Sequence, residues 1–510
     1  MKKTTLFKRT FALVLTLAML ATLFSCSMYG NSDNASGGYY PVINGGAMNG
    51  DLSGEEYTEI VENSFVNTAE NGTSYFSIDA NTASYPNLRS MIKNNYSGIP
   101  KDAVRIEEML NYFDYDYKTP ENGEILALTS SMFDTPYNNE TKLLTVGLAA
   151  EKVELSDVKN NLVFLIDVSG SMYSEDKLPL VQSAFMLLTE SLNPEDRISI
   201  VTYAGADSVA LSGAFGNEKG KIMAVIEDLE AGGSTAGADG IETAYELAKQ
   251  YYIDGGNNRV ILATDGDFNV GLSATQDLEK FIAKKRDTGI YFSVYGFGRG
   301  NIKSEKMEAL ALAGNGVFSY IDSVKEARRA LVADIGGSLV TVAKDVKAGI
   351  TFNSEYIESY RLIGYENKLL TEEEFEDSST DAGELGSGHT VTVAYEVKLK
   401  ENVSFTGEDS LADVTVKFKP TENVGADGTA ELSSVLTVRG DSYHEIATQS
   451  DLFVASVIEF GLILRNSEYK AEADIEALVS RIDQLDLEND GFKAEFRDIV
   501  KIYASYEKEK

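Results

Sequence analysis

Cysteine is almost absent from these 510 residues, and histidine nearly so. The single cysteine, Cys26, excludes a disulfide within the chain, so stability has to come from packing. The two histidines, His389 and His444, fall far in sequence from the chemistry-bearing loops described below, and they read as structural or exposed rather than catalytic. Basic residues are also scarce: 45 Lys and Arg face 80 Asp and Glu, a formal charge of −35. Nucleic-acid binders need a basic footprint, so that class is excluded. The acidity itself reads as a solvated surface suited to an exported protein. Nowhere do apolar residues run for the roughly 18 positions that mark a membrane-crossing helix, so the mature protein is expected to be anchored rather than spanning.

What is present begins with an export signal. Lys2, Lys3, Lys8 and Arg9 precede the apolar stretch Phe11–Leu23, and Phe24, Ser25 and Cys26 follow. A basic segment, a short apolar segment and a small residue before the cut have this order in secretory signals. The pattern resembles a bacterial lipobox. That resemblance implies that residues 1–25 are removed, that Cys26 is lipidated, and that the protein is exported and lipid-anchored to the cell membrane or outer membrane. Residues 26–56 then read as the lipidated cysteine and a flexible tether, rich in Gly, Asn, Ser and Asp with no apolar periodicity.

The 43% apolar content can build real cores, and the length allows about three domains. Residues 57–158 read as a mixed α/β region, with helices near Tyr85–Lys93 and Arg105–Phe113 and a strand at Leu143–Leu148. From 159 to 338, apolar runs alternate with helical periodicity. The strands are expected at Leu162–Ile166, Ile198–Tyr203, Val260–Thr264, Tyr291–Phe297 and Val317–Ile321, with a short edge strand at Val209–Leu211 and a last helix at Val324–Ile335. Such alternation predicts an α/β fold with a doubly wound, mostly parallel sheet covered on both faces. Residues 339–446 alternate apolar and polar positions as antiparallel strands do, which predicts a small β-sandwich, with Glu372–Glu384 as an acidic loop. Residues 447–510 read as helices.

Oxygen-bearing side chains carry the chemistry. Asp167-Val168-Ser169-Gly170-Ser171 follows the apolar run Leu162–Ile166, Thr235 sits in a glycine-rich stretch, and Asp265 ends the apolar run before Gly266. In a doubly wound sheet, ligands bind at the carboxyl ends of strands where the strand order reverses. Hydroxyl, carboxylate and water oxygens suit a hard dication: Mg²⁺, or Mn²⁺ or Ca²⁺. A site held mainly by neutral hydroxyls leaves the ion electron-hungry for a carboxylate from another molecule. Asp267 reads as a turn residue bonding its own backbone. Gly232–Gly240 lacks the Lys-Ser/Thr ending of a phosphate-binding loop, so no nucleotide or other organic cofactor is expected.

Asp167, Ser169, Ser171, Thr235 and Asp265 resemble the metal-ion-dependent adhesion site of von Willebrand factor type A domains. The resemblance implies that Ser169, Ser171 and Thr235 contact the metal through their hydroxyls. It further implies that Asp167 and Asp265 act partly through water, and that an Asp or Glu of a protein partner completes the coordination. Stretches such as Asp102–Phe113 and Tyr360–Asn367 also resemble a bacterial family of exported type A domain proteins with their own N- and C-terminal regions.

The leading expectation is therefore a non-enzymatic, metal-dependent protein-binding lipoprotein of the cell envelope, with membrane contact through its lipid. One rival is a Mg²⁺-dependent hydrolase or phosphatase at the same strand ends. Against it, an aspartate-nucleophile phosphatase wants a second Asp where Ser169 stands, and a serine-hydrolase elbow wants glycine where Asp167 stands. A second rival is a structural envelope protein whose metal only stabilises loops.

Overall fold

Two kinds of strand build two kinds of sheet, and the difference is written in their polarity. The structure, a computed structural model, describes residues 55–508 except 79, 96–97, 154–157, 205–206, 234–237, 267–274, 301–302, 334–339, 422–423 and 427. The export segment, Cys26 and the tether up to residue 54 lie outside the described residues, as do Thr235 and Asp267.

Leu162 to Ile166 are apolar without interruption and fully buried, as a strand covered on both faces must be. Their strand, Asn160–Asp167, runs parallel to Arg197–Tyr203 on one side and to Asn257–Thr264 on the other. Beyond Asn257–Thr264 the sheet continues through Ile290–Phe297 and Phe318–Ile321, both parallel. Asp207–Phe215 closes the opposite edge antiparallel, longer than the short edge strand its apolar residues alone predict. Alternate residues of the central strand serve opposite cores. Phe164 and Ile166 meet Val181 and Phe185 of helix Leu178–Ser191, while Val163 and Leu165 meet Ile241 and Tyr245 of helix Ala238–Gln250. This is the doubly wound arrangement that the sequence predicts. The chain builds outward from Asn160–Asp167 to one edge and then returns to lay Asn257–Thr264 on its other flank. The strand order therefore reverses between these two neighbours.

The flanking regions differ from their linear reading. Residues 57–158, 339–446 and 447–510 do not stack as successive blocks; they interleave into one body from which the parallel sheet is an insertion. Lys142–Ala150 pairs with Thr390–Leu399, and Val66–Asn67 pairs with Ile357–Ile363. In the facing sheet, Thr73–Ser77 pairs with Thr341–Phe352. Phe76, Val146 and Leu148 share a core with Ile350, Tyr395 and Val414. The helices behave likewise: Ser84–Lys93 and Ile106–Asn111 share a core with Gln449–Arg465 and Gly491–Lys508.

The acidic loop expected at Glu372–Glu384 is corrected as well. Thr371 accepts from the Glu374 amide while the Glu374 carboxylate accepts from the Thr371 amide, and this capping box starts a short helix, Glu372–Glu376. Gly383–Gly386 is then a strand on Thr341–Phe352. The helix expected at Val324–Ile335 is α-helical only to Arg328 and π-helical over Arg329–Ala333. Among the described residues no helix is long and apolar enough to cross a membrane.

Candidate metal-binding site

Asp167 is the last residue of the central strand and is fully buried. Its Oδ1 accepts from the Ser169 amide at 2.9 Å, which bends the chain sharply out of the sheet. Its Oδ2 accepts from the Tyr203 hydroxyl at 3.1 Å and the Thr264 hydroxyl at 3.3 Å. Burial raises the Asp167 carboxyl above its ordinary range, the Ser169 hydrogen bonds oppose this, and the nearby Asp265 charge adds to it. The two carboxylates are thus close enough to feel each other, although their parent strands are joined by about a hundred residues of chain.

Ser169 is buried at 1% exposure and Ser171 is exposed, with their hydroxyl oxygens 3.0 Å apart. Between them the backbone enters a 3₁₀ turn, Gly170–Tyr173, pinned by the fully buried Met172. Tyr173 points the other way and is 83% exposed, an aromatic ring on the rim of the site.

The loop that leads to Thr235 is fastened to this turn. The Gly232 amide donates to the Val168 carbonyl at 2.7 Å, and the Gly170 amide donates to the Gly233 carbonyl at 3.2 Å. Thr235 itself lies outside the described residues, two positions beyond this anchor. Asp265 follows strand Asn257–Thr264 and is 1% exposed. Gly266, at φ +100°, turns the backbone away, and its amide donates to the Thr264 hydroxyl.

The structure therefore brings Asp167, Ser169, Ser171 and Asp265 to the reversal point of the sheet, with Gly232 and Gly233, which precede Thr235 in the chain, hydrogen-bonded to the same turn. Among the described residues no three His, Cys, Asp or Glu side chains gather as a metal-ligand group. A cation here would rest on hydroxyls together with two carboxylates, a donor set that fits a hard dication and not a soft one.

One residue escaped the sequence reading. Lys177 sends its Nζ to Asp265 Oδ2 at 2.7 Å, and both side chains are buried, at 9% and 0% exposure. The available signal was positional: Lys177 stands immediately before helix Leu178–Ser191, where the helix dipole disfavours a cation. The rim also carries Asp176, paired with Arg299, and the Gly300 amide, which donates to Glu55. The chain thus enters the described fold beside the site.

Neither histidine is found there. His444 pairs with Asp451 at 3.0 Å. His389 accepts from the Gly386 amide and is held neutral, its pKa lowered to about 4 by burial and the Arg329 charge.

Three family descriptions match successive parts of the chain. Residues 161–332 match the von Willebrand factor type A domain, residues 51–145 match a family described as von Willebrand factor, and residues 337–505 match the C-terminal domain of the uncharacterized protein YfbK. Uncharacterized protein YfbK of Escherichia coli (strain K12) is 36% identical over 471 residues, which cover 88% of this chain and 80% of that one. Inter-alpha-trypsin inhibitor heavy chain H3 of Homo sapiens is 25% identical over 48% of this chain and 29% of its own length. Among solved structures, a von Willebrand factor type A protein from Catenulispora acidiphila covers 68% of this chain and 80% of its own, at 16% identity and a TM-score of 0.37.

Proposed function

This chain belongs to the YfbK family of von Willebrand factor type A proteins, and from that premise we propose that it is a cell-envelope lipoprotein that binds a protein partner through a divalent metal ion. The observation that carries the reading is the convergence of Asp167, Ser169, Ser171 and Asp265 at the reversal point of the sheet, with Gly232 and Gly233 hydrogen-bonded to the same turn. Ser169, Ser171 and Thr235 would hold the ion by their hydroxyls, with Asp167 and Asp265 oriented around it. The bound ion would supply a Lewis-acidic position for a carboxylate of the partner. The protein's own residues fix that geometry beforehand: Tyr203, Thr264 and the Ser169 amide hold Asp167, and Lys177 holds Asp265. A binding role rather than an enzymatic one is supported by the engagement of both carboxylates and by the placement of His389 and His444 in other networks. Attachment to the membrane through a lipid on Cys26 belongs to the same proposal, and its support is the N-terminal sequence.

The test is calorimetric titration of Mg²⁺ and Mn²⁺ into the full-length chain in detergent, followed by a screen of envelope proteins for binding that a chelator reverses. Asp167→Ala is expected to abolish metal binding and partner binding together. Thr235→Ala is expected to weaken metal affinity while circular dichroism stays unchanged. Metal-dependent turnover of a phosphate or ester, lost in Asp167→Ala, would instead establish a hydrolase. Palmitate labelling that persists in Cys26→Ala would refute the anchor.

A further inference from the structure

We propose that Lys177 is a built-in counter-charge that loosens the hold of this site on its metal ion and thereby strengthens its hold on the partner's carboxylate. The inference rests on the metal-dependent reading above and adds to it a device that sets how the two ligands are balanced. Lys177 is no surface lysine that happens to swing inward. Its side chain is threaded under the turn at Gly298, where an added Cβ would lie 2.2 Å from Lys177 Cγ and 2.5 Å from Cε. Gly298 has φ +72°, and its carbonyl accepts from the Tyr320 hydroxyl at 2.9 Å, so the roof of the slot is itself fixed. From that slot the ammonium reaches Asp265 Oδ2 at 2.7 Å, with 9% of the lysine side chain and none of the aspartate exposed.

A charge buried at this depth acts on its neighbours with little screening from water or salt. Asp167, Asp265 and Lys177 together carry one net negative charge. Adding a dication makes the site singly positive, and a partner's carboxylate then brings it to neutrality. Without the lysine the two aspartates alone neutralise the dication. The site would hold the metal more tightly and would gain little from an incoming anion. Lys177 therefore favours the ternary state over the binary one. The direction of this bias is opposite to that of a residue whose only task is to brace Asp265, because losing a brace weakens both ligands at once.

The experiment measures the two affinities separately in the full-length chain, with Mn²⁺ as the metal and acetate as the carboxylate. Free Mn²⁺ is read by electron paramagnetic resonance, and acetate access by relaxation of its methyl protons on the Mn²⁺-loaded protein. In Lys177→Met the Mn²⁺ dissociation constant is expected to fall about tenfold or more, while acetate binding weakens severalfold. The thermal midpoint of the metal-free protein should drop, since the buried Asp265 loses the Lys177 ammonium, and saturating Mn²⁺ should restore it. Lys177→Gln, which keeps a polar chain in the slot without the charge, gives the same two shifts if the apolar variant does not fold. Unchanged Mn²⁺ affinity in a folded variant, or weakening of both ligands together, would overturn the role given to Lys177 while leaving the metal site intact. Failure of wild type and variants alike to bind Mn²⁺ would remove the metal reading and this inference with it. A variant that binds Mn²⁺ where the wild type does not would place Lys177 as the stronger competitor and support it.

Discussion

At the scale of single residues, the candidate site depends on a few backbone positions as much as on the side chains proposed to hold the ion. Gly233 is at φ +85°, and a Cβ there would lie 2.7 Å from the Ala204 carbonyl oxygen. Its own carbonyl accepts from Gly170 inside the Asp167–Ser171 turn. Gly233→Ala is therefore expected to cost about 1–3 kcal/mol of stability through strain and to weaken Mn²⁺ affinity by moving the Thr235 loop. Urea unfolding with a parallel Mn²⁺ titration checks both, and a variant unchanged in each would show that the loop is placed by something else. The two carboxylates that the structure brings together, Asp167 and Asp265, announce their positions locally. Asp167 and Asp265 terminate apolar runs, so strand ends could be read directly from hydropathy. Lys177 was not legible, since its partner lies 88 positions away and no pattern in the chain pairs them.

At the scale of elements, strands and helices with strong periodicity emerged where the sequence placed them, and composition misled elsewhere. Glu372–Glu384 reads as a solvated acidic loop because charge dominates it. The local instruction was instead the Thr371 and Glu374 pair, which caps a helix, and the buried Phe375, which seats it. Gly383–Gly386 is too short for its alternation to register. Its Glu384 lines a cavity of about 250 Å³ together with Arg329, Lys368 and His389. Burial pushes the Glu384 carboxyl up to about 7, against the pull of Lys344, the Thr341 hydrogen bond and Arg259. A carboxyl whose pKa is higher folded than unfolded contributes stability that is full below about 4.5 and is lost as pH rises through about 7. Glu384→Gln is thus expected to gain on wild type by about 1–3 kcal/mol between pH 5 and pH 8. His389 works in the opposite sense, since its lowered pKa costs stability as pH falls from about 6.5 towards 4. That contribution is common to both proteins and cancels in their difference. Urea unfolding of the two at pH 5 and pH 8 decides the matter, and an equal difference at both pH values would rule out Glu384 as the titrating group.

At the scale of the whole molecule, the parallel-sheet domain is bound to the interleaved body by a buried ionic junction. Sequence periodicity supplies strands but not their partners, which is why Thr73–Ser77 could not be placed against Thr341–Phe352 beforehand. The junction is equally nonlocal. Arg89, 1% exposed on helix Ser84–Lys93, holds Asp322 at 2.5 Å and Glu326 at 2.8 Å from the end of the parallel-sheet domain, and Glu495 at 3.1 Å from the C-terminal helix. The Tyr112 hydroxyl donates to the same Glu326 at 2.7 Å. Removing one member of such a buried set leaves charges that the fold cannot solvate, at a cost of about 3–5 kcal/mol. Lys93, 42% exposed on the same helix, also reaches Glu495, and an exposed pair of this kind contributes about 0–1 kcal/mol. Arg89→Met is therefore expected to detach the unfolding of the parallel-sheet domain from that of the body, turning one calorimetric transition into two, whereas Lys93→Met leaves the trace unchanged. If Arg89→Met melts in a single transition within about 2 °C of wild type, the junction is not what couples the two parts, and the load falls on the covalent crossings near Ala150 and Thr341.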